Sequence, residues 1–266
     1  MHIREKERHL NRLLEKCDRA AVAFSGGADS SLLLSCAIKV LGPDKVIAFT
    51  FRSCLQKRHE LDRVGDWLAD HDLSGLVTHL FVDIDPLSWE EFTVNPVDRC
   101  YICKSRVYHL FLDRAAEFGM TCLIDGTNAD DMLSDRPGLR ALRELGIGTP
   151  LADAGLSKED VRMLSRETGL NTWNRPSSSC LATRIPAGME ITGQRIDLVA
   201  RAEMILEEMG FIGCRVRLDL NDKERVYIEV LEKDVHRLVS DINRRSILEK
   251  MKKIGFFRVL LDMYGR

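Results

Sequence analysis

Two groups of residues in this chain have the types and spacing to do chemistry. The first is Ser25-Gly26-Gly27-Ala28-Asp29-Ser30, lying between an apolar run (20–24) and an apolar helical pattern (30–40). Glycines let backbone approach an oxyanion closely, and a helix start offers N–H groups and the positive end of its dipole. The hydroxyls of Ser25 and Ser30 add donors. The lysine and spacing of a Gly-x-x-x-x-Gly-Lys-Ser/Thr loop are absent, so the loop need not grip a γ-phosphate for transfer. Asp29 makes sense inside an anion site if it works through Mg²⁺, which bridges carboxylate and phosphate oxygens. A plain turn with Asp29 as a helix cap is the simpler alternative. The full six-residue pattern in its strand–helix setting favours phosphate binding.

The second group is cysteine. Cys100 and Cys103 form a Cys-x-x-Cys pair in "DRCYICKSR", just ahead of a predicted helix, and Cys180 sits in the serine-rich "RPSSSCLATRIP". Such a pair binds zinc, holds an iron–sulfur cluster or forms a redox disulfide. Three thiolates suit a 4Fe–4S cluster with one iron open to sulfide or a substrate atom, whereas structural zinc wants a fourth ligand. Spacing alone does not choose the metal. Arg99, Lys104 and Arg184 would lower thiol pKa values and balance a negative cluster. Cys17, Cys36 and Cys122 lie in apolar runs and read as core; Cys54 and Cys214 lie in less clear segments.

The elements that must position these residues alternate. Predicted strands at 20–24, 46–51, 77–82 and 121–124 are interleaved with predicted helices at 30–40, 60–71 and 104–118. A further helix at 157–168 has Ser157 as N-cap and Asp160 three residues on. This order predicts an α/β fold, a parallel sheet with helices on both faces and ligands at the carboxyl ends of its strands. After Pro186-Ala187-Gly188 the pattern changes to a helix (193–209), a hairpin (215–220 and 225–231) around Asn221-Asp222, a helix (234–251) and a strand (257–262). We therefore expect an α/β domain over 1–185 and a small α+β domain over 186–266.

Composition narrows the class. With 45% hydrophobic and 30% charged residues in 266, the chain can bury a core and is not disordered. No long uncharged apolar run suggests a membrane span. The charged start "MHIREKERHLNRLLEKCD" lacks the apolar centre of a signal peptide, and Ile3, Leu10, Leu13 and Leu14 predict a docked amphipathic helix. A cytoplasmic protein is expected, in which eight cysteines do not make a disulfide framework. A net charge of −2 argues against a general nucleic-acid binder.

"SGGADS" resembles the PP-loop of the ATP pyrophosphatase superfamily, whose members split ATP between its α- and β-phosphates. They adenylate a carboxylate or amide oxygen, and a nitrogen or sulfur nucleophile then displaces AMP. The resemblance implies ATP, Mg²⁺ and pyrophosphate release. "LIDGTNADD" (123–131), "RPGLRALRELGI" (136–147), "TPLADAGLSKEDVRMLSRETGL" (149–170), "RPSSSCLATRIPAGMEIT" (175–192) and "RVRL" (Arg215–Leu218) resemble the LarE family. These are ATP-dependent sulfur transferases that help make the nickel-pincer nucleotide cofactor of lactate racemase. The substrate implied is pyridinium-3,5-biscarboxylic acid mononucleotide, each carboxylate being adenylated and converted to a thiocarboxylate. Some members sacrifice the sulfur of the cysteine aligned with Cys180. Others add a Cys-x-x-Cys pair and carry an exchangeable sulfide on a 4Fe–4S cluster; Cys100 and Cys103 make this chain similar to those.

The resemblance also implies roles. Asp29, through Mg²⁺, and the loop residues Ser25, Gly26, Gly27 and Ser30 hold pyrophosphate. Asp125, Gly126, Thr127 and Asn128 contact the nucleotide. Glu144 handles Mg²⁺ or a proton, and Arg184 meets the anionic substrate. Arg215 and Arg217 share one strand face and bind the substrate phosphate, often near a subunit interface, so a homo-oligomer is implied. Asp130 and Asp131 are a metal pair or a solvated turn. Arg136 and Arg140 are anion-binding or plain surface residues, and Tyr101 and Trp173 stack on a pyridinium ring or simply pack. The immediate sulfur donor is not named by the sequence. The alternatives are a 4Fe–4S-dependent tRNA thiolation enzyme of the same superfamily, an ammonia-using amide synthetase, and a non-catalytic nucleotide or iron–sulfur sensor.

Overall fold

Continuous apolar runs belong in strands covered on both faces, and Ala20–Ala23 and the Val46–Phe49 start of Val46–Arg52 are of this kind. The structure, a computed structural model, describes residues 2–133, 137–176 and 178–265. In chain order its first elements are α1 (Ile3–Leu14), β1 (Ala20–Ala23), α2 (Ala28–Leu41), β2 (Val46–Arg52), α3 (Arg58–Asp70), β3 (Thr78–Asp83), α4 (Glu90–Thr93), α5 (Arg99–Glu117) and β4 (Cys122–Asp125). They continue with α6 (Ala129–Met132), α7 (Pro137–Glu144), α8 (Pro150–Asp153), α9 (Lys158–Glu167) and α10 (Gly193–Glu208). The last are β5 (Arg215–Leu218), β6 (Arg225–Glu229), α11 (Val235–Leu238), α12 (Asp241–Lys253) and β7 (Arg258–Leu261). Among the described residues no helix is long and apolar enough to cross a membrane.

The chain divides into two compact units. The first comprises Met1–Ser53, Arg58–Ile84 and Asp98–Arg175. Its sheet is wholly parallel, in the order β3-β2-β1-β4, with Ala20 registered on Val46 on one side and Cys122 on the other. The chain steps outward from β1 to β2 and β3, then crosses back to place β4 on the far side of β1. The crevice where the order reverses is the natural ligand site of such sheets. It lies at the carboxyl ends of β1 and β4, where two of the predicted motifs begin. The core joins Val22, Phe24, Leu32, Leu33, Val46 and Trp67 to Leu10 and Leu14 of α1, so the N-terminal helix docks as expected. Capping boxes start α1 (His2 with Glu5) and α9 (Ser157 with Asp160), and Lys6 pairs with Asp160 at 2.6 Å.

Cys17 and Cys122, expected to be core thiols, pair as a disulfide. The amides of Thr121 and Cys122 both donate to Arg19 O, at 3.0 and 3.1 Å, which sets the residues before β1 beside the start of β4.

The second unit draws on Cys54–Lys57, Asp85–Val97 and Pro176–Arg266, and the expected boundary near 186 lies within its last stretch. β5 and β6 form the predicted antiparallel hairpin, and β7 joins β6 in parallel. Val216, Val226 and Ile228 bury one sheet face, together with Ala202, Leu206, Ile247 and Met251 of α10 and α12. The two short segments are tied in by backbone: Leu181 N donates to Leu55 O and Ile191 N to Thr93 O, each at 2.8 Å. Asn95, fully buried at φ +58°, donates from Nδ2 to Pro186 O and Met189 O, both at 2.7 Å. The single helix expected over 234–251 is instead two, α11 and α12. Ser240 Oγ and Asn243 Nδ2 donate to Arg237 O at 2.9 and 2.8 Å, so side chains take over a carbonyl at the end of α11.

Candidate active site

The phosphate-loop segment leaves β1 through Phe24, whose amide donates to Phe49 O at 2.8 Å. Gly26 has φ +71°, a conformation that favours glycine, and a Cβ there would lie 2.5 Å from Val64 Cγ2. Gly27 is the N-cap of α2, so Asp29 and Ser30 fall in its first turn rather than at a cap. The two serines fold the loop back on itself. Ser25 N donates to Ser30 Oγ at 3.2 Å, the hydroxyls lie 3.1 Å apart, and Ser30 Oγ donates to Gly27 O at 3.3 Å. The first-turn amides of a helix have no intrahelical partners, so α2 presents N–H groups and its positive dipole end here.

The residues after β4 close on the same turn. A Cβ on Gly126 would lie 2.9 Å from Ser30 N and 3.0 Å from Ser30 Cα, so this position admits no side chain while α2 stays in place. Asn128 Nδ2 donates to Asp29 Oδ1 at 2.8 Å. Burial lifts the Asp29 carboxyl above its ordinary pKa, and the Asn128 hydrogen bond opposes that rise. Asp125 does not stand open to a ligand. It accepts from Tyr108 OH, Thr127 Oγ1 and Thr127 N, with Lys104 Nζ at 3.8 Å. Burial alone would raise its pKa; Lys104 and the Thr127 and Tyr108 hydrogen bonds outweigh it and hold the carboxyl below the usual range. Asp130 accepts from Lys158 N at 2.8 Å and Asp131 pairs with Lys158 Nζ at 3.0 Å.

Cys100 and Cys103 lie within the first two turns of α5, not ahead of a helix as the sequence suggested, because the helix starts at Arg99. Both are half-buried and one turn apart, the spacing of neighbours on one helix face. Lys104, expected to face these thiols, is directed to Asp125 and lies over the Tyr108 ring, 5.6 Å from its centroid. Tyr101 donates to Glu144 Oε2 at 2.5 Å, and the Arg140 guanidinium lies 3.9 Å from the Tyr101 ring centroid and 3.6 Å from Glu144. The Tyr101 face thus carries an arginine, as does Trp173, with Arg166 at 5.2 Å. Arg136 lies outside the described residues.

In the second unit, Cys180 precedes a 3₁₀ turn, Leu181–Arg184, and its carbonyl accepts from Thr183 N and Thr183 Oγ1 at 3.0 and 2.8 Å. Arg184, expected to meet the anionic substrate, is buried. Its guanidinium donates to Glu203 Oε1 at 2.6 Å, Ser179 Oγ at 2.5 Å and Thr183 Oγ1 at 2.8 Å. Glu203 also meets Lys57 Nζ at 2.5 Å and Val216 N at 3.0 Å. Burial would raise its pKa, but Arg184 and Lys57 lower it. The cysteine turn is therefore braced by a buried ion network. Arg215 and Arg217 share a face of β5, with Glu229 between them: Arg217 Nε donates to Glu229 and its Nη1 to Thr183 O at 2.7 Å, and Arg215 stands 3.8 Å from Glu229. Among the described residues no three His, Cys, Asp or Glu side chains form a metal-holding group.

Sequence reading overlooked Tyr108, which locks Asp125, and Arg175, whose guanidinium reaches the Gly26 carbonyl at 3.1 Å. Arg175 stood within a quoted motif, but its partner is 149 residues away along the chain. No established family profile matches the chain. It is 34% identical over 253 residues to pyridinium-3,5-bisthiocarboxylic acid mononucleotide synthase of Lactiplantibacillus plantarum, covering 95% of this chain and 88% of that protein. The chain belongs to this synthase family. A Synechocystis relative named only as an uncharacterized protein is 32% identical over 265 residues, 99% of this chain and 95% of that one. A glutamine-hydrolyzing GMP synthase component of Thermoplasma acidophilum matches 74% of the chain and 66% of its own length at 30% identity, which places the family in the PP-loop superfamily. Members of that superfamily use ATP.

Proposed function

We propose that this chain is an ATP-dependent sulfur transferase that converts the carboxylates of pyridinium-3,5-biscarboxylic acid mononucleotide to thiocarboxylates, releasing AMP and pyrophosphate. The observation that carries this reading is the match over 95% of the chain to a synthase of the bisthiocarboxylic product. A substrate carboxylate oxygen attacks the α-phosphorus, the bond to the bridging oxygen breaks, and pyrophosphate leaves. A sulfur nucleophile then adds to the activated carbonyl and AMP departs.

The amides of the loop and the first turn of α2 bind the departing phosphates, and the helix dipole favours their charge. Asp29 would hold Mg²⁺, which screens phosphate charge; a half-buried carboxylate beside the loop fits a hard cation. Asp125 acts by ordering its loop, and Gly126 by letting that loop approach α2. Cys100, Cys103 and Cys180 would hold a 4Fe–4S cluster, which supplies an exchangeable sulfide. Two thiols one turn apart on α5 suit joint ligation. Arg215 and Arg217 take the substrate phosphate, and Glu144 handles Mg²⁺ or a proton. Arg184 braces the Cys180 turn. The reading also includes a cytoplasmic homo-oligomer with no nucleic-acid partner.

The test is to incubate anaerobically purified protein with the biscarboxylate mononucleotide, ATP, Mg²⁺ and sulfide. Pyrophosphate release and oxygen-to-sulfur exchange in the product, read by mass spectrometry, are expected. Release that depends on tRNA and not on the mononucleotide would overturn the reading.

A further inference from the structure

We propose that Arg175 is the positioning cation of the phosphate loop, fixing the Gly26–Gly27 peptide so that the Gly27 N–H faces the departing pyrophosphate. The proposal rests on the reading of this loop as the ATP site, and it concerns a residue to which that reading gave no role.

A loop that binds polyphosphate without a lysine must find positive charge elsewhere. Arg175 Nη1 donates to Gly26 O at 3.1 Å, and Nη2 to Asn171 Oδ1 at 3.4 Å. Asn171 is tethered in turn, its Nδ2 donating to Asp70 Oδ2 at 3.2 Å at the end of α3. The guanidinium is therefore held in one orientation against the loop. A guanidinium presents its N–H groups in a planar fork, so it holds both acceptors at once.

The grip on Gly26 has a second effect. In a trans peptide the carbonyl and the following N–H point in opposite directions, and the described residues contain no cis bond. Holding Gly26 O on one side fixes the Gly27 N–H on the other, at the N-cap of the 14-residue α2. The contact that the Gly27 N–H makes with Ser25 Oγ is long, at 3.5 Å. The local charge is also unbalanced: half-burial and the neighbouring Arg63 both press the Arg175 pKa down, and Asp70 offsets them only in part. A cation held near another cation on a glycine loop gains most when an anion arrives.

In the reaction Arg175 keeps its protons. The carboxylate lone pair forms the new O–P bond at the α-phosphorus, the electron pair of the breaking bond stays on the bridging oxygen, and pyrophosphate departs. Arg175 holds in place the loop peptide whose N–H stabilises the charge that accumulates there.

The experiment compares wild type, Arg175→Met, Arg175→Lys and Asn171→Ala. Binding of inorganic pyrophosphate with Mg²⁺ is measured by calorimetry, and pyrophosphate release is measured with the biscarboxylate mononucleotide. Arg175→Met is expected to weaken pyrophosphate binding about tenfold and lower kcat for release about 100-fold, the scale of losing one oxyanion donor. Arg175→Lys should recover binding more than kcat, because it restores charge without the fork. Asn171→Ala, which frees the guanidinium, should lower kcat with little change in binding. Pyrophosphate binding within twofold of wild type in Arg175→Met would overturn the proposal. If that variant does not fold, unchanged binding and kcat in both Arg175→Lys and Asn171→Ala would do so. A wild type that binds pyrophosphate but releases none from ATP with this substrate refutes the substrate reading and leaves the binding arm to decide the role of Arg175.

Discussion

Gly126→Ala is the substitution whose effect the structure fixes most closely. The added methyl would lie 2.9 Å from Ser30 N, 3.0 Å from Ser30 Cα and 3.2 Å from Asp29 C. All three are backbone atoms in the first turn of α2, so no side-chain rotation relieves the overlap. Either α2 or the loop after β4 must move by about half an ångström, at a stability cost of about 1–3 kcal/mol. The turn that moves carries the phosphate-binding amides. A misplacement of about 1 Å typically costs on the order of 100-fold in rate, so about tenfold is expected here in kcat/KM for pyrophosphate release. Gly27→Ala is the control: its Cβ would meet only Ser25 Oγ, at 3.5 Å, and its φ of −77° is open to any residue. Its melting temperature should stay close to wild type. Urea unfolding and coupled-enzyme detection of pyrophosphate measure both effects. A Gly126→Ala protein with wild-type stability and turnover would refute the claim that this close approach sets the loop.

Three further outcomes are expected. His79 is half-buried between Phe24 and Phe81 and hydrogen-bonded to Thr50 at 2.8 Å, and this burial lowers its pKa from 6.5 to about 4. The unfolded chain therefore takes up this proton first, so stability falls as pH drops from 6.5 towards 4, by about 3 kcal/mol in all; His79→Gln should flatten that part of a urea-unfolding pH series. Arg184→Met leaves Glu203 buried with Lys57 as its remaining cation and should cost about 3–5 kcal/mol in chemical denaturation, with sulfur transfer lost as the Cys180 turn loosens. Iron and acid-labile sulfide should be found on anaerobically purified protein at about four irons per chain, as a 4Fe–4S cluster requires, and lost in Cys100→Ala, Cys103→Ala and Cys180→Ala; zinc in place of iron would refute the cluster.

What could be read from the sequence followed local rules. Apolar runs on both faces gave the four parallel strands, Ser157 with Asp160 gave a helix start, and Asn221-Asp222 gave a hairpin. The helical pattern over 234–251 misled because apolar spacing does not register Ser240 and Asn243 turning back onto the Arg237 carbonyl. The sequence pattern starts α5 too late because Arg99–Cys103 has no strong capping signal; Asp98 makes no side-chain cap. The surroundings of Arg184 are hidden from sequence for a different reason. Arginine near a reactive cysteine suggests an anion, and only the fold reveals that Glu203 lies buried against it. Tyr108 and Arg175 were overlooked because their partners, Asp125 and Gly26, are distant in sequence.

The make-up of the second unit bears on how the chain acquires its shape during synthesis. Residues 54–57 and 85–97 emerge from the ribosome long before 176–266, yet they complete the same core and brace. Lys57 has no Glu203 to pair with, and Asn95 no 186–189 turn to hold, until the final third of the chain exists. The early segments must wait, and long-range closure of this kind slows folding. A fragment beginning at residue 186 would lack Lys57, Asn95 and Cys180 together. The sulfur-bearing turn and its support are thus the product of the whole chain, and truncation cannot separate them.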